Sequence, residues 1–180
     1  MLNKLKEICS NLSGWMVKEN HERSCSLLHV SGAEIHIYED WKGKVEARGQ
    51  FPRDEKDEYM DASRWGLVEY GKSNPTIGFN INKDAAKIAK DLESRLMPVY
   101  MPMYAKAVEK LNKRLVEKEN KENKIAELAK IIGSKHRGNI FSEYMDDYSI
   151  TCEISYDNNV RLDLSVDFET AKKILKLLKK

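Results

Sequence analysis

The chain has 180 residues, 33% of them charged, and a net charge of only +2. With a mean hydropathy of −0.62 and no apolar run near the ~20 residues that cross a bilayer, it reads as a soluble protein of one domain, or of two small ones sharing a core. Three scattered cysteines, Cys9, Cys25 and Cys152, form neither a disulfide framework nor a C-x-x-C metal knuckle, which fits a reducing cytoplasm.

Leu2, Leu5, Ile8 and Leu12 recur at three- and four-residue steps and predict a first helix ending near Ser13-Gly14. The same segment, MLNKLKEICSNLSGW, has no apolar h-region, so no secretory leader is expected. Residues 26–39 read as a hairpin. Gly32-Ala33 suits a two-residue type II′ turn, which pairs Val30 with Ile35, Leu28 with Ile37, His29 with His36 and Leu27 with Tyr38. A second hairpin turns at Trp41-Lys42-Gly43 and sets Ile37 against Ala47, His36 against Arg48 and Tyr38 against Glu46. Val45 and Phe51 then share the apolar side. The acidic stretch PRDEKDEYMDASRW (52–65) is a loop or a short helical excursion, anchored by Trp65, Leu67, Val68 and Tyr70.

A turn cluster at Gly71–Pro75 leads to a strand over Thr76–Ile81. Asn82 then caps a helix with Ala85, Ile88, Ala89, Leu92 and Leu96 on one face. Pro98 and Pro102 interrupt it, and a long helix follows from about Met103 to Ile132. Its apolar stripe, Tyr104, Ala107, Val108, Leu111 and Leu115, fades through EKENKENK and resumes at Ile125, Leu128, Ala129 and Ile132. The faded middle is either a solvated arm or a helix–loop–helix break, and Gly133 ends the helix. Near the C-terminus, Ile150, Cys152 and Ile154 alternate, Asp157-Asn158-Asn159 turns, and Val160, Leu162, Leu164 and Val166 alternate back. That register pairs Ile154 with Leu162 and Cys152 with Leu164. Asp167 caps a last helix with Ala171, Ile174, Leu175 and Leu178 inward.

The fold class is therefore α+β, with antiparallel hairpin sheets backed by helices. AAKIAKDL (85–92) aligns with AKKILKLL (171–178), each after a strand and an Asn or Asp cap, so the order is that of an internally duplicated helix–strands–helix unit. The expected organisation is an N-terminal half over 1–97, a linking long helix over 98–132 and a ββα half over 133–180.

Several groupings bear on chemistry. The stretch from Gly78 through Lys83 and Lys87 is a strand–cap–helix corner with lysines facing out. It is not a nucleotide loop, because it holds one glycine and no Walker pattern. His29, His36, Tyr38, Glu46 and Arg48 converge on the exposed face of the first sheet, as a contact surface, a general-base site or a two-histidine zinc site. Zinc would need Cys25 or His21 as a further ligand. Glu153 and Asp163 fall opposite each other, and Asp146 and Asp147 could complete a Mg²⁺ or Ca²⁺ site, or a Lys or Arg could join the pair. MPVYMPMY (97–104) is a buried joint or an adaptable recognition loop. No G-x-S-x-G, H-E-x-x-H or Cys/His nucleophile pairing appears, and no cofactor or metal is expected. From Lys83 to Arg137 there are 14 Lys and Arg against 8 Asp and Glu, whereas from Ala33 to Trp65 the balance is 6 against 9. The basic charge thus sits on predicted helices.

Two resemblances follow. IAKDLESRLMPVYMPMYAKAVEKL (88–111) resembles a segment of uncharacterised phage and prophage proteins in which an "IA-[RK]-D-I-x-x-R-L-x-P" run joins a strand to a long amphipathic helix. This likeness implies a bacterial, mobile-element setting in the host cytoplasm. It also implies stoichiometric, inhibitor-like binding of host nucleic-acid machinery, defence systems included. The helix–strands–helix order is also similar to double-stranded RNA-binding domains, whose last helix grips phosphates with lysines. The matching residues are Lys83, Lys87 and Lys90 in one half and Lys172, Lys173 and Lys176 in the other, although Ser31-Gly32-Ala33 replaces that family's Gly-Pro-x-His-like loop. The expectation is a non-enzymatic protein that binds a host protein or nucleoprotein. Direct duplex binding through the lysine helices and a metal-dependent enzyme are the alternatives. The halves pack together or pair with a second chain as a homodimer, with no membrane partner.

Overall fold

The structure, a computed structural model, describes residues 2–20, 24–39, 44–132, 135–145, 148–155 and 159–178. The chain divides into two compact units, Met1–Lys113 and Arg114–Lys180. The fold is α+β, with antiparallel sheets in both units. Among the described residues no helix is long and apolar enough to cross a membrane.

The first unit opens with α1 (Leu2–Ser10) and continues as a meander of β1 (Trp15–Asn20), β2 (Ser24–His29), β3 (Glu34–Glu39), β4 (Val45–Gln50) and β5 (Thr76–Phe79), each strand beside the next. Alternation explains the core. Cys25, Leu27, Ile35, Ile37, Val45, Ala47, Ile77 and Phe79 point to one face, where Leu5 and Ile8 of α1 meet them. Strand β1 was not expected. Its register slips between Val17 and Glu19, a bulge that breaks the alternation a sequence pattern relies on.

The first hairpin keeps its position but not its predicted register. Leu27 faces Ile35, Ser26 faces His36 and Cys25 faces Ile37. Gly32 takes a φ of 85° as the last residue of a longer loop, which closes through His29 N–H to Ala33 O at 2.8 Å. The three-residue offset is odd, so β2 presents its other face, and Cys25 and Leu27 become fully buried. The second hairpin has the expected register, Ile37 with Ala47, His36 with Arg48 and Tyr38 with Glu46. Its turn, 41–43, lies outside the described residues. In the 52–75 loop Trp65 is buried, Leu67 and Val68 pack on the core, and Tyr70 anchors nothing at 98% exposure.

Asp84, not Asn82, caps α2 (Ala85–Asp91): its carboxylate accepts the Ala86 N–H at 2.9 Å. Asn82 instead gives its N–H to the Asn80 side chain, a turn that feeds the cap. The expected face of Ala85, Ile88, Ala89, Leu92 and Leu96 is buried. Pro98 and Pro102 do not break the chain into separate helices. A π-helical turn at Leu92–Leu96 leads into α3 (Met97–Ile132), with Met97 N–H reaching Leu92 O. The wider turn shifts the hydrogen-bond ladder just where Pro98 supplies no donor. Both prolines lie on the exposed side, while Tyr100 and Ala107 are buried and Met97, Met101 and Met103 pack on the core. Residues 116–124 are helical, with Leu115 and Val116 exposed. Gly133 is outside the described residues.

The second unit repeats the helix–strands–helix order. The last turns of α3 precede β6 (His136–Arg137), β7 (Ile140–Met145), β8 (Tyr148–Ile154) and β9 (Val160–Ser165), again in sequential order, and α4 (Phe168–Leu178). Ile125 and Ala129 of α3 form its core with Phe141, Cys152 and Ile154. The β8–β9 register differs by two residues from expectation: Ile154 faces Val160 and Cys152 faces Leu162. An even shift preserves the apolar face. It also replaces the expected Glu153–Asp163 opposition by Glu153 with Arg161 and Thr151 with Asp163, so unlike charges meet. Asp167 caps α4 as expected, accepting the Glu169 and Thr170 N–H groups. Leu175, expected inward, is 61% exposed.

Candidate partner-binding face

The outer face of the five-stranded sheet gathers His36, Tyr38 and Arg48. Strands β3 and β4 pair in register, so side chains opposite one another and one pleat apart must meet. Arg48 Nη2 donates to Tyr38 Oη at 2.9 Å, and Tyr38 Oη donates to Glu46 Oε2 at 2.6 Å. The Arg48 guanidinium lies 5.4 Å from the Tyr38 ring centre, and His36 stacks on the same ring at 5.8 Å with planes 24° apart. A cation, a phenol and an imidazole thus form one stacked cluster, held by a charge-assisted chain. Arg48 Nε is buried and has no hydrogen-bond partner.

Toward β2 the face continues through Ser26, 3.3 Å from His36 Nδ1, and Glu34, which accepts from Lys18 Nζ at 2.9 Å. Burial pushes the Glu34 carboxyl up, but the bonds from Lys18 and Ser26 outweigh it and hold the group below its usual value. Serine beside histidine has the look of a nucleophile and base, but Ser26 is only 3% exposed. The surface carries both signs, Lys18 and Arg48 against Glu34 and Glu46.

His29 is not part of this face. It lies across from Trp15, its ring 5.0 Å from the indole, and its Nδ1 contacts Ser31 Oγ at 2.8 Å. The expected histidine pair is therefore not formed, because the longer turn moves His29 to the loop end. His21, Asp146 and Asp147 lie outside the described residues. Among the described residues no group of three or more His, Cys, Asp or Glu side chains is placed to hold a metal ion. Burial, then the neighbouring Cys9, push the Cys25 thiol up to about 12, which keeps it an unreactive core thiol.

Lys83, Lys87 and Lys90 are exposed at and along α2, which packs on the opposite face of the sheet from His36. Lys83 is engaged with Asp91 at 3.1 Å. In the second unit Lys172 bonds Glu169 at 2.9 Å and lies over the Phe168 ring, and Lys173 is exposed. Lys176 is on α4, its side chain outside what is described. Pattern reading missed Gly49 and Tyr100, which support this face from beneath. The signal was there: a glycine inside a strand marks close approach of another group. Comparison with protein-family models, curated proteins and solved structures gives no match.

Proposed function

We propose that the chain is a non-enzymatic binding protein that holds a protein partner on the outer face of the first sheet. The observation that carries this reading is the His36–Tyr38–Arg48 stack. Tyrosine and arginine are the side chains that most often dominate binding energy at protein interfaces, and here both are fixed before any partner arrives. Balanced charge on the face disfavours a polyanion and favours a mixed protein surface. The partner class is the one the phage-type resemblance implies, a host nucleoprotein or nucleic-acid enzyme engaged stoichiometrically, as by an inhibitor of a defence system.

Affinity capture from bacterial lysate, with and without nuclease, tests this. Discrete proteins that stay bound after nuclease and are lost with Arg48→Ala, whose fold is checked by circular dichroism, are the expected result. Partners that vanish with nuclease, and that are lost on changing Lys83, Lys87 and Lys90 to Glu, would instead make nucleic acid the ligand.

A further inference from the structure

The four ends of the two sheets are not alike. Strand β1 carries a bulge at Lys18, β5 has 4 residues and β6 has 2. Short edges, bulges and lysines are the usual devices that stop a sheet edge from pairing with another chain. Strand β9 is neither short nor bulged and carries no lysine; its two charged side chains, Arg161 and Asp163, are of opposite sign and bridge each other at 3.1 Å. It is a six-residue end strand, VRLDLS, in unbroken register with β8. Its apolar side chains, Val160, Leu162 and Leu164, continue the row of Ile154, Cys152 and Ile150, yet they are 49%, 56% and 42% exposed.

The direction of its backbone groups follows from two bonds. Ser155 N–H reaches Asn159 O, and Ile154 N–H reaches Asn139 O. By alternation, Arg161 and Asp163 bond toward β8, and the N–H and C=O groups of Val160, Leu162 and Leu164 point outward. We propose that β9 pairs with β9 of a second copy of this chain, antiparallel and centred on Leu162. In that register Leu162 faces Leu162, Val160 faces Leu164, and each pair exchanges two hydrogen bonds through the outward groups. Arg161 faces Asp163 of the second copy in the closer, non-hydrogen-bonded pairs. Centring on Arg161 or on Asp163 instead would set like charges opposite each other. Of the registers centred on Arg161, Leu162 or Asp163, the one on Leu162 therefore satisfies backbone, apolar row and charge together, and it has the self-complementarity a two-fold interface requires.

Sedimentation equilibrium of the full chain tests the pairing. The wild type is expected to run at twice its 20.8 kDa mass. Leu162→Pro removes an outward N–H together with the leucine side chain at the centre of the pairing, a backbone change edge strands tolerate, and is expected to be monomeric with unchanged circular dichroism. Arg161→Asp alone and Asp163→Arg alone each oppose like charges and are expected to be monomeric, whereas their equimolar mixture dimerises. A monomeric wild type, or single charge variants that dimerise as well as the wild type, or a mixture that stays monomeric, would overturn the proposal. The capture experiment above reads a different face, so the two can fail separately.

Discussion

The ring of Tyr100 lies against the backbone of Gly49. A methyl group built on Gly49 would stand 2.3 Å from Tyr100 Cδ2, 2.7 Å from Cε2 and 2.7 Å from Cγ. Gly49 has an ordinary strand conformation, so the constraint is space and not backbone dihedral. Gly49→Ala is expected to cost about 1–3 kcal/mol, the usual penalty for an overpacked core. Urea denaturation checks it, and the loss should shrink when the same change is made beside Tyr100→Leu, whose side chain can move aside.

The Tyr100 hydroxyl ties the helix to the ends of β3 and β4. It accepts from Glu34 N–H at 3.0 Å and lies 2.5 Å from Gln50 O and 2.9 Å from Glu34 O. Burial raises its pKa, so the group stays a neutral donor throughout the physiological range. Tyr100→Phe keeps the ring packing, including the edge contact with Phe51 at 5.8 Å, and strands those backbone groups. A loss of about 1–3 kcal/mol is expected. A Tyr100→Phe protein as stable as the wild type would show that water satisfies the same groups.

Part of the acid sensitivity should trace to Lys18 and Glu34. Burial raises the Glu34 pKa, while the Lys18 and Ser26 bonds lower it further than burial raises it. A folded value below the unfolded one means that folding favours the carboxylate. The resulting stability is present above the unfolded pKa and is lost as pH falls through the folded value. Lys18→Met removes the cation, so its stability should fall less steeply than the wild type's between about pH 5 and pH 3. Parallel slopes in chemical denaturation across that range would refute the assignment.

How much of this was legible depends on whether two constraints agreed. The β3–β4 register was readable because loop length and alternation point to the same pairs, and His36, Tyr38, Glu46 and Arg48 follow from it directly. The β2–β3 register was not, because Gly32 fits both a two-residue turn and the end of a longer loop. Burial of Cys25 and Leu27 decides between them, and burial is a property of the whole unit. Strand β1 was invisible because the bulge at Lys18 destroys its period. The continuous helix through Pro98 and Pro102 was also hidden, since a π-helical turn has no sequence signature as plain as the prolines it absorbs.

Asn74 is the buried side chain that fastens the 52–75 loop to the sheet. It is 4% exposed; its Oδ1 accepts the Ala62 N–H at 2.8 Å and its Nδ2 donates to Gly49 O at 3.0 Å. The two partners fix the amide orientation, because only oxygen can meet an N–H and only nitrogen can meet a carbonyl. Asn74→Asp keeps the first bond and sets a carboxylate against the Gly49 carbonyl. That acid must be protonated to donate, so its pKa in the folded protein is raised above the unfolded value. Protonation then supports the fold at low pH, and the variant loses stability as pH rises past the unfolded pKa toward the folded one. At neutral pH both Asn74→Asp and Asn74→Ala should cost on the order of 1–3 kcal/mol. Only the aspartate variant should recover relative to the wild type on acidification. If both variants track the wild type's pH profile, the amide does not bridge loop and sheet as these distances indicate.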